Sequence, residues 1–141
     1  MSTGFVADEH AARLAIRRAE LVKTKDTGEF QEALADGYAD EQFKDAHRVQ
    51  PFGFSSHAPK GSHGLAIVAN GRTDQSVILG MEHPEYRPRE QPEGSSRQYD
   101  KDGSYCDMDG DGNLATKCRK ESKHEGDTIV LKSETMVYIN C

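Results

Sequence analysis

The sequence predicts a mainly β protein, in which a small closed barrel is followed by a thin β-extension. Turns rich in glycine, proline and asparagine cut residues 20–81 into about five short apolar runs, the strand count of a small barrel. Only 35% of the residues are apolar and the mean hydropathy is −0.79, which indicates a thin core. After Gln98 the large apolar residues are too few to bury a monomeric core.

The barrel strands are predicted from the turns that separate them. A strand at 20–25 is followed by a turn at 26–29, and a second strand begins at Phe30. The remaining three strands are expected at 51–54, 65–69 and 77–79.

Three further segments complete this part of the chain. Residues 37–45 are polar and predict a loop, and residues 7–18 are rich in helix formers and predict a short helix. Pro59 and Gly61 mark a turn. Asn70-Gly71, between two apolar runs, predicts a hairpin because both residues tolerate a positive φ.

Composition divides the chain into three parts. Residues 1–83 are assigned to the helix and barrel, and residues 84–98, with three prolines, to an extended linker. Residues 99–141 hold short apolar segments between Gly and Asp turns. Identical chains would supply the missing neighbours of such segments, so this last part predicts an interwoven trimeric β-structure.

Several positions of the barrel region resemble one protein family. They are Gln50-Pro-Phe-Gly-Phe-Ser-Ser56, Pro59 with Gly61, Gly64, Asn70-Gly-Arg72 with Asp74, Val77-Ile78 and Pro84-Glu-Tyr-Arg-Pro88. The sequence is similar here to the Mu-like phage baseplate proteins that form the central tail spike. The resemblance extends over roughly residues 12–118 and includes no catalytic residue.

The resemblance implies an OB-fold-like barrel followed by an intertwined three-stranded β-helix, here a short shaft. It implies a homotrimeric spike of a contractile tail baseplate, which docks under the hub and tail tube proteins and helps to puncture the host envelope on sheath contraction. Its expected location is the virion, with assembly in the host cytoplasm and transient contact with the host outer membrane. The chain stops at Cys141, where such shafts would continue, so either another protein caps the shaft or the tip is built differently.

The segment Asp107-Met-Asp-Gly-Asp-Gly112 resembles the start of an EF-hand loop, but the twelfth position holds Cys118 where calcium needs a bidentate Glu. A hairpin turn is the favoured interpretation. None of the six histidines forms His-x-His or His-x-x-x-His, so no metal or other cofactor is predicted. This departs from the His-x-His apex that binds iron in some Mu-like spikes.

No residue is assigned a catalytic role, and the protein is predicted not to be an enzyme. Ser55, Ser56 and His57 lack the G-x-S-x-G elbow of a nucleophile and are interpreted as a loop rim. Arg72 and Asp74 lie outside any phosphate loop and are expected to form a turn pair or an intersubunit contact.

The three cysteines lie in the last third of the chain, and an odd count does not suggest a disulfide framework. Cys106 and Cys118 flank a predicted hairpin, and reduced thiols are favoured over a bond between them. In a trimer, three copies of Cys141 near one axis would be the alternative route to a metal site.

Charge and hydropathy exclude further classes. The net charge of −6 argues against nucleic-acid binding, although an OB-type oligonucleotide module and a small calcium-binding module remain as alternatives. No stretch reaches the ~20 apolar residues of a membrane span. Asp8, Glu9 and His10 stand where a signal peptide needs apolar residues, so synthesis in the cytoplasm is expected.

Overall fold

The computed structural model describes residues 15–69 and 71–139. These residues form eight strands and one short 3₁₀ turn, which confirms the mainly β prediction. They fall into two units that divide between Arg87 and Pro88. The strands are β1 Ala15–Lys25, β2 Glu32–Asp36, β3 Gln42–Arg48, β4 His63–Val68, β5 Ser76–Glu82, β6 Ser96–Tyr99, β7 Tyr105–Met108 and β8 Leu114–Lys117.

The first unit is a closed barrel with the strand order β1-β2-β3-β5-β4, and β4 pairs back onto β1. β3 and β5 run parallel, with His47 opposite Val77, while all other neighbours are antiparallel. Five strands closed in this way form an OB-like barrel, as the sequence predicts.

Small side chains and a few large ones fill the barrel. Alanines from four of the strands point inward, and Phe43, Leu21, Ile78 and Val68 are the largest fully buried apolar side chains. Because side chains alternate between the two faces of a strand, the residues between these point outward and are available to other molecules.

The predicted helix at 7–18 is wrong over residues 15–18, the part of it that the structure describes. Residues 7–14 lie outside the described part of the chain, while β1 already begins at Ala15. Ala15 pairs with Val68 and Arg18 with Leu65, so the ladder to β4 outweighs the weak helix propensity of these residues.

The predicted loop at 37–45 is also wrong at its end, since β3 occupies Gln42–Arg48. Phe43 and Ala46 both enter the core, although they are three residues apart. A bulge allows this: Phe43 pairs with Ala35 and Ala46 with Ala33, and Asp45 adopts a φ of 51°. The bulge breaks the alternation that would identify a strand in the sequence.

Residues 51–54 form a turn and not the predicted strand. The Phe54 N–H donates to the Pro51 carbonyl at 3.1 Å, and Gly53 has a φ of 86°. Proline supplies no N–H for a ladder, and a positive φ leaves the strand conformation. The predicted number of five strands is nevertheless right, because β3 replaces this segment.

The hairpin predicted around Asn70-Gly71 joins β4 and β5, with Ile67 opposite Val77. Asn70 lies outside the described residues. The connection is longer than a two-residue turn, because it contains the 3₁₀ turn Thr73–Gln75. The turn predicted at 59–61 is confirmed by the bond from the Ser62 N–H to the Pro59 carbonyl at 3.2 Å.

The second unit contains the antiparallel sheet β6-β7-β8, whose strands have four residues each. β6 begins at Ser96, inside the segment assigned to the linker. Residues 118–139 form no strand, and all are exposed. In the described ranges, no helix has the length and apolar character needed to cross a membrane.

Candidate assembly interface

A buried arginine organises one end of the barrel. The Arg48 guanidinium is almost fully buried, donates through Nη1 to Gln31 Oε1 and to the Ser56 carbonyl, and reaches Ser56 Oγ through Nη2 at 2.9 Å. Among the residues that the structure describes, no carboxylate forms a salt bridge with Arg48. Burial lowers the pKa of Arg48, while the charge of Asp26 opposes this shift. Arg48 therefore ties the connection after β3 to the residue that precedes β2.

The connection from 49 to 59, here called the Phe loop, is further fixed from inside. Gln50 Oε1 accepts from the Ser56 N–H at 2.7 Å and from its hydroxyl at 3.2 Å. Together with the turn at Pro51–Phe54, these bonds hold the loop in one conformation. The loop nevertheless exposes its aromatic side chains: Phe52 is 106% exposed and Phe54 58%.

A second apolar surface covers the outside of β1, β4 and β5. Ile16, Ile67 and Val77 lie side by side across the three strands, and Leu65 and Leu79 form the next row. We call these five side chains the apolar wall. They are exposed or half-buried within the described chain. Neighbouring apolar side chains of this kind mark contact surfaces.

The outside of β1, β2 and β3 is polar by contrast. A groove of about 650 Å³ lies here, lined by three lysines (Lys23, Lys25, Lys44), three carboxylates (Asp26, Glu32, Asp45), His57 and uncharged residues. Lys25 is paired with Glu32 at 2.5 Å, which raises the pKa of the lysine. Charges that cancel and a lining without Phe, Tyr or Trp give single-stranded nucleic acid neither a phosphate track nor a stacking platform.

The β6-β7-β8 sheet has two different faces. The charged face consists of Arg97, Tyr99, Tyr105, Asp107, Ala115 and Lys117. Arg97 forms a bidentate pair with Asp107 at 2.8 and 3.0 Å and lies 4.6 Å above the Tyr105 ring. The pair lowers the pKa of Asp107. Arg97 and Asp107 therefore satisfy each other's charges on this face.

The uncharged face consists of Ser96, Gln98, Cys106, Met108, Leu114 and Thr116. Met108 is 52% exposed and Leu114 67% exposed, so nothing in the described chain covers them. Beyond the sheet, further large apolar side chains are uncovered as well. They are Ile129, Val130, Leu131, Met136, Val137, Tyr138 and Ile139.

The acidic segment at 107–112 forms the hairpin between β7 and β8. Asp109 Oδ1 accepts from the N–H groups of Asp111 and Asn113, at 2.8 and 3.1 Å, and Asp109 Oδ2 accepts from the Asn113 amide. Asp107 points to Arg97 on the sheet. Each of these two carboxylates therefore already has a partner within the protein.

The same turn occurs a second time between β6 and β7, within the region where Gly and Asp turns are expected but where no motif was singled out. Asp100 Oδ1 accepts from the N–H groups of Asp102 and Ser104, at 2.8 and 2.9 Å. The signal was present in the sequence as D-x-D-G at 100–103, repeated at 109–112. The two turns begin nine residues apart, and the three strands that they join have four residues each.

The other residues considered in the sequence lie apart from one another. Ser56 is part of the Arg48 network, while His57 lies 3.5 Å from Asp26. Arg72 and Asp74 form a bidentate pair within their turn, at 3.1 and 2.6 Å.

The cysteines and the other residue types that can bind metal also lie apart from one another in the described chain. Cys106 and Cys118 are both free; Cys106 lies opposite Thr116, and Cys141 is outside the described residues. Over residues 15–69 and 71–139, no three His, Cys, Asp or Glu side chains converge as a metal site.

The barrel exposes an aromatic loop, and the second unit leaves large apolar side chains exposed within the described residues. Comparison with known families adds a further observation. The family described as Bacteriophage Mu Gp45, N-terminal, matches residues 18–85, which include most of the barrel. This region belongs to that family, as the resemblance indicated. The comparison with curated proteins gives no match.

The match over residues 18–85 indicates a structural role in the phage tail baseplate. It also implies a location in the virion tail and contacts with other tail components. The exposed surfaces of the barrel and of the second unit are the regions where such contacts can form.

Proposed function

We propose that the protein is the homotrimeric central spike of a contractile phage tail. Residues 1–83 would form the barrel domain, residues 84–98 the linker and residues 99–141 a short intertwined β-shaft. The observation that carries the proposal is the uncovered apolar surface of the second unit. A protein that works alone does not leave this many large side chains in water.

The size of the β6-β7-β8 sheet supports the need for partners. Three strands of four residues bury little apolar surface by themselves, so covering Met108 and Leu114 on the uncharged face would stabilise the sheet. The uncharged face can pack against a copy of itself, because pressing identical uncharged surfaces together produces no like-charge repulsion. The charged face, with Arg97 and Asp107 already paired, is suited to the outside of such an assembly.

Closure around a threefold axis also explains how the shaft would withstand force. β6 and β8 are edge strands of their sheet, and each presents unpaired backbone groups. In a cyclic trimer every edge meets the edge of a neighbour, so no free edge remains. A shaft closed in this way transmits a push through its backbone ladders.

The barrels would form a platform above the shaft. The apolar wall of β1, β4 and β5 would face neighbouring barrels, and the charged groove would face outward. This platform would dock under the hub and tail tube proteins. The shaft would contact the host outer membrane as the sheath contracts, either directly or through a separate tip protein. The proposed role requires no catalysis, no cofactor and no nucleic acid.

Native mass spectrometry of the purified full chain tests the proposal. We expect three chains per particle at micromolar concentration and below. A well-folded monomer under these conditions would show that the uncovered side chains have another explanation, and the spike proposal would then be wrong. Titrations with single-stranded DNA and with calcium test the two alternative functions, and we expect no binding in either.

A further inference from the structure

The Phe loop differs from the rest of the chain in charge. Residues 49–59 contain no Lys, Arg, Asp or Glu, although 30% of the whole chain is charged. The loop also carries Val49, Phe52 and Phe54, all of them exposed. Depletion of charge and enrichment of aromatic residues are typical of the centre of a protein interface.

The loop is held in place before any partner arrives. Arg48 and Gln31 fix Ser56 from the barrel side, and Gln50 fixes it from within the loop. The turn at Pro51–Phe54 then presents Phe52 at its tip. An aromatic side chain on a rigid support loses little conformational entropy when it binds, so it suits the role of a binding anchor.

We propose that Phe52 and Phe54 insert into an apolar pocket on a different protein of the tail, and thereby anchor the barrel to it. The inference rests on the proposed function, because it names the surface through which the spike docks. The area decides between a different protein and a second copy. Two aromatic side chains bury about 150–250 Å² each, whereas a stable interface needs about 800 Å² on each partner. The loop is too small to hold copies together, but it has the size of a hot spot within a larger contact.

Phe52→Ser tests this anchor, and Tyr38→Ser is the matched control. Tyr38 is 90% exposed and lies in the β2–β3 turn, at the opposite end of the barrel from the Phe loop. Both changes remove an exposed aromatic ring without opening the core, so we expect both variants to keep the melting temperature and the native mass of the wild type.

The decisive measurement is the amount of variant protein in purified phage particles from cells that supply only that variant. We expect the amount of Phe52→Ser in the particles to be at least about tenfold below that of the wild type. Tyr38→Ser should match the wild type. Phe52→Leu keeps an apolar anchor and should recover most of the loss. Gln50→Ala keeps both rings but loosens the loop, so it should fall between these limits.

Each other outcome has a separate meaning. Normal incorporation of Phe52→Ser, or an equal loss for Tyr38→Ser, would overturn the anchor but leave the spike proposal standing. Loss of the trimer in Phe52→Ser would show that the loop joins copies of this chain, which also overturns the inference. Absence of the wild-type protein from the particles would instead remove the proposed function itself.

Discussion

At the scale of single residues, the stability of the barrel depends on positions such as Arg48 and Gly64, whose roles follow from the groups packed around them. Arg48 is a charged residue that the structure buries, and its acceptors are a side-chain amide, a carbonyl and a hydroxyl. Gly64 is another such position. It lies where β4 meets β5, and a side chain added there would come within 2.6 Å of the Leu79 carbonyl oxygen.

We predict that Gly64→Ala lowers the free energy of unfolding of the barrel by about 1–3 kcal/mol, since the added methyl group collides with backbone that cannot move away. Gly28→Ala is the control, because its methyl group would lie at ordinary contact distances, 3.5 Å from the Phe30 carbonyl oxygen and 4.0 Å from the Phe30 nitrogen. Urea unfolding of both variants measures the difference. Equal stability of the two would show that the β4–β5 pair shifts to accommodate the methyl group.

At the scale of elements, the two Asp turns stabilise the β6-β7-β8 sheet in a pH-dependent way. Hydrogen bonds from the Ser104 and Asp102 N–H groups lower the pKa of Asp100, and the Asn113 amide together with two N–H groups lowers that of Asp109. A carboxylate whose pKa is lower in the folded than in the unfolded state stabilises the fold above the unfolded value of about 3.9. That contribution is lost as the pH falls through the folded value.

We therefore predict that acid weakens the second unit, beginning below about pH 4. Asp100→Asn is the informative variant, because an asparagine oxygen still accepts both N–H groups but does not titrate. Amide hydrogen exchange at Asp102 and Ser104 should accelerate on acidification in the wild type, after correction for the intrinsic pH effect, and less in the variant. An identical acid response would assign the pH dependence to other groups.

At the scale of the whole molecule, the two faces of the β6-β7-β8 sheet have different roles in the proposed trimer. Leu114 and Ala115 are neighbours on β8 but lie on opposite faces. We predict that Leu114→Lys abolishes the proposed trimer, since an unpaired buried charge costs about 3–5 kcal/mol and the assembly would hold three of them. Ala115→Lys should keep the trimer.

Light scattering of the two variants measures this difference directly, and each adds the same charge to the same strand. If both remain trimeric, the uncharged face is turned to solvent, although the trimer itself stands. If only Ala115→Lys dissociates, the charged face is the buried one.

Much of the architecture follows from the sequence alone. The turn residues at 26–29, at 59–61 and in the Asp-Gly segments are recognisable because glycine, proline and aspartate restrict the backbone locally. The thin apolar content after Gln98 likewise indicates dependence on partners. The Asp107–Gly112 hairpin could also be predicted from the sequence. The segment resembles the start of an EF-hand loop, but Cys118 stands where calcium needs a Glu, which favours a simple turn.

Tertiary structure decided the features that depend on pairing across the chain. Residues 15–18 have helix-forming composition, yet the β4 ladder makes them a strand. β3 could not be predicted from the alternation of side chains. Its bulge places both Phe43 and Ala46 in the core although they are three residues apart, whereas a regular strand alternates every two residues. Residues 51–54 are predicted as a strand from the sequence, but they form a turn that exposes Phe52 and Phe54. Local backbone preferences depend on neighbouring residues and can be predicted from the sequence. Burial depends on which distant strands pair, and this pairing is determined only in the closed barrel.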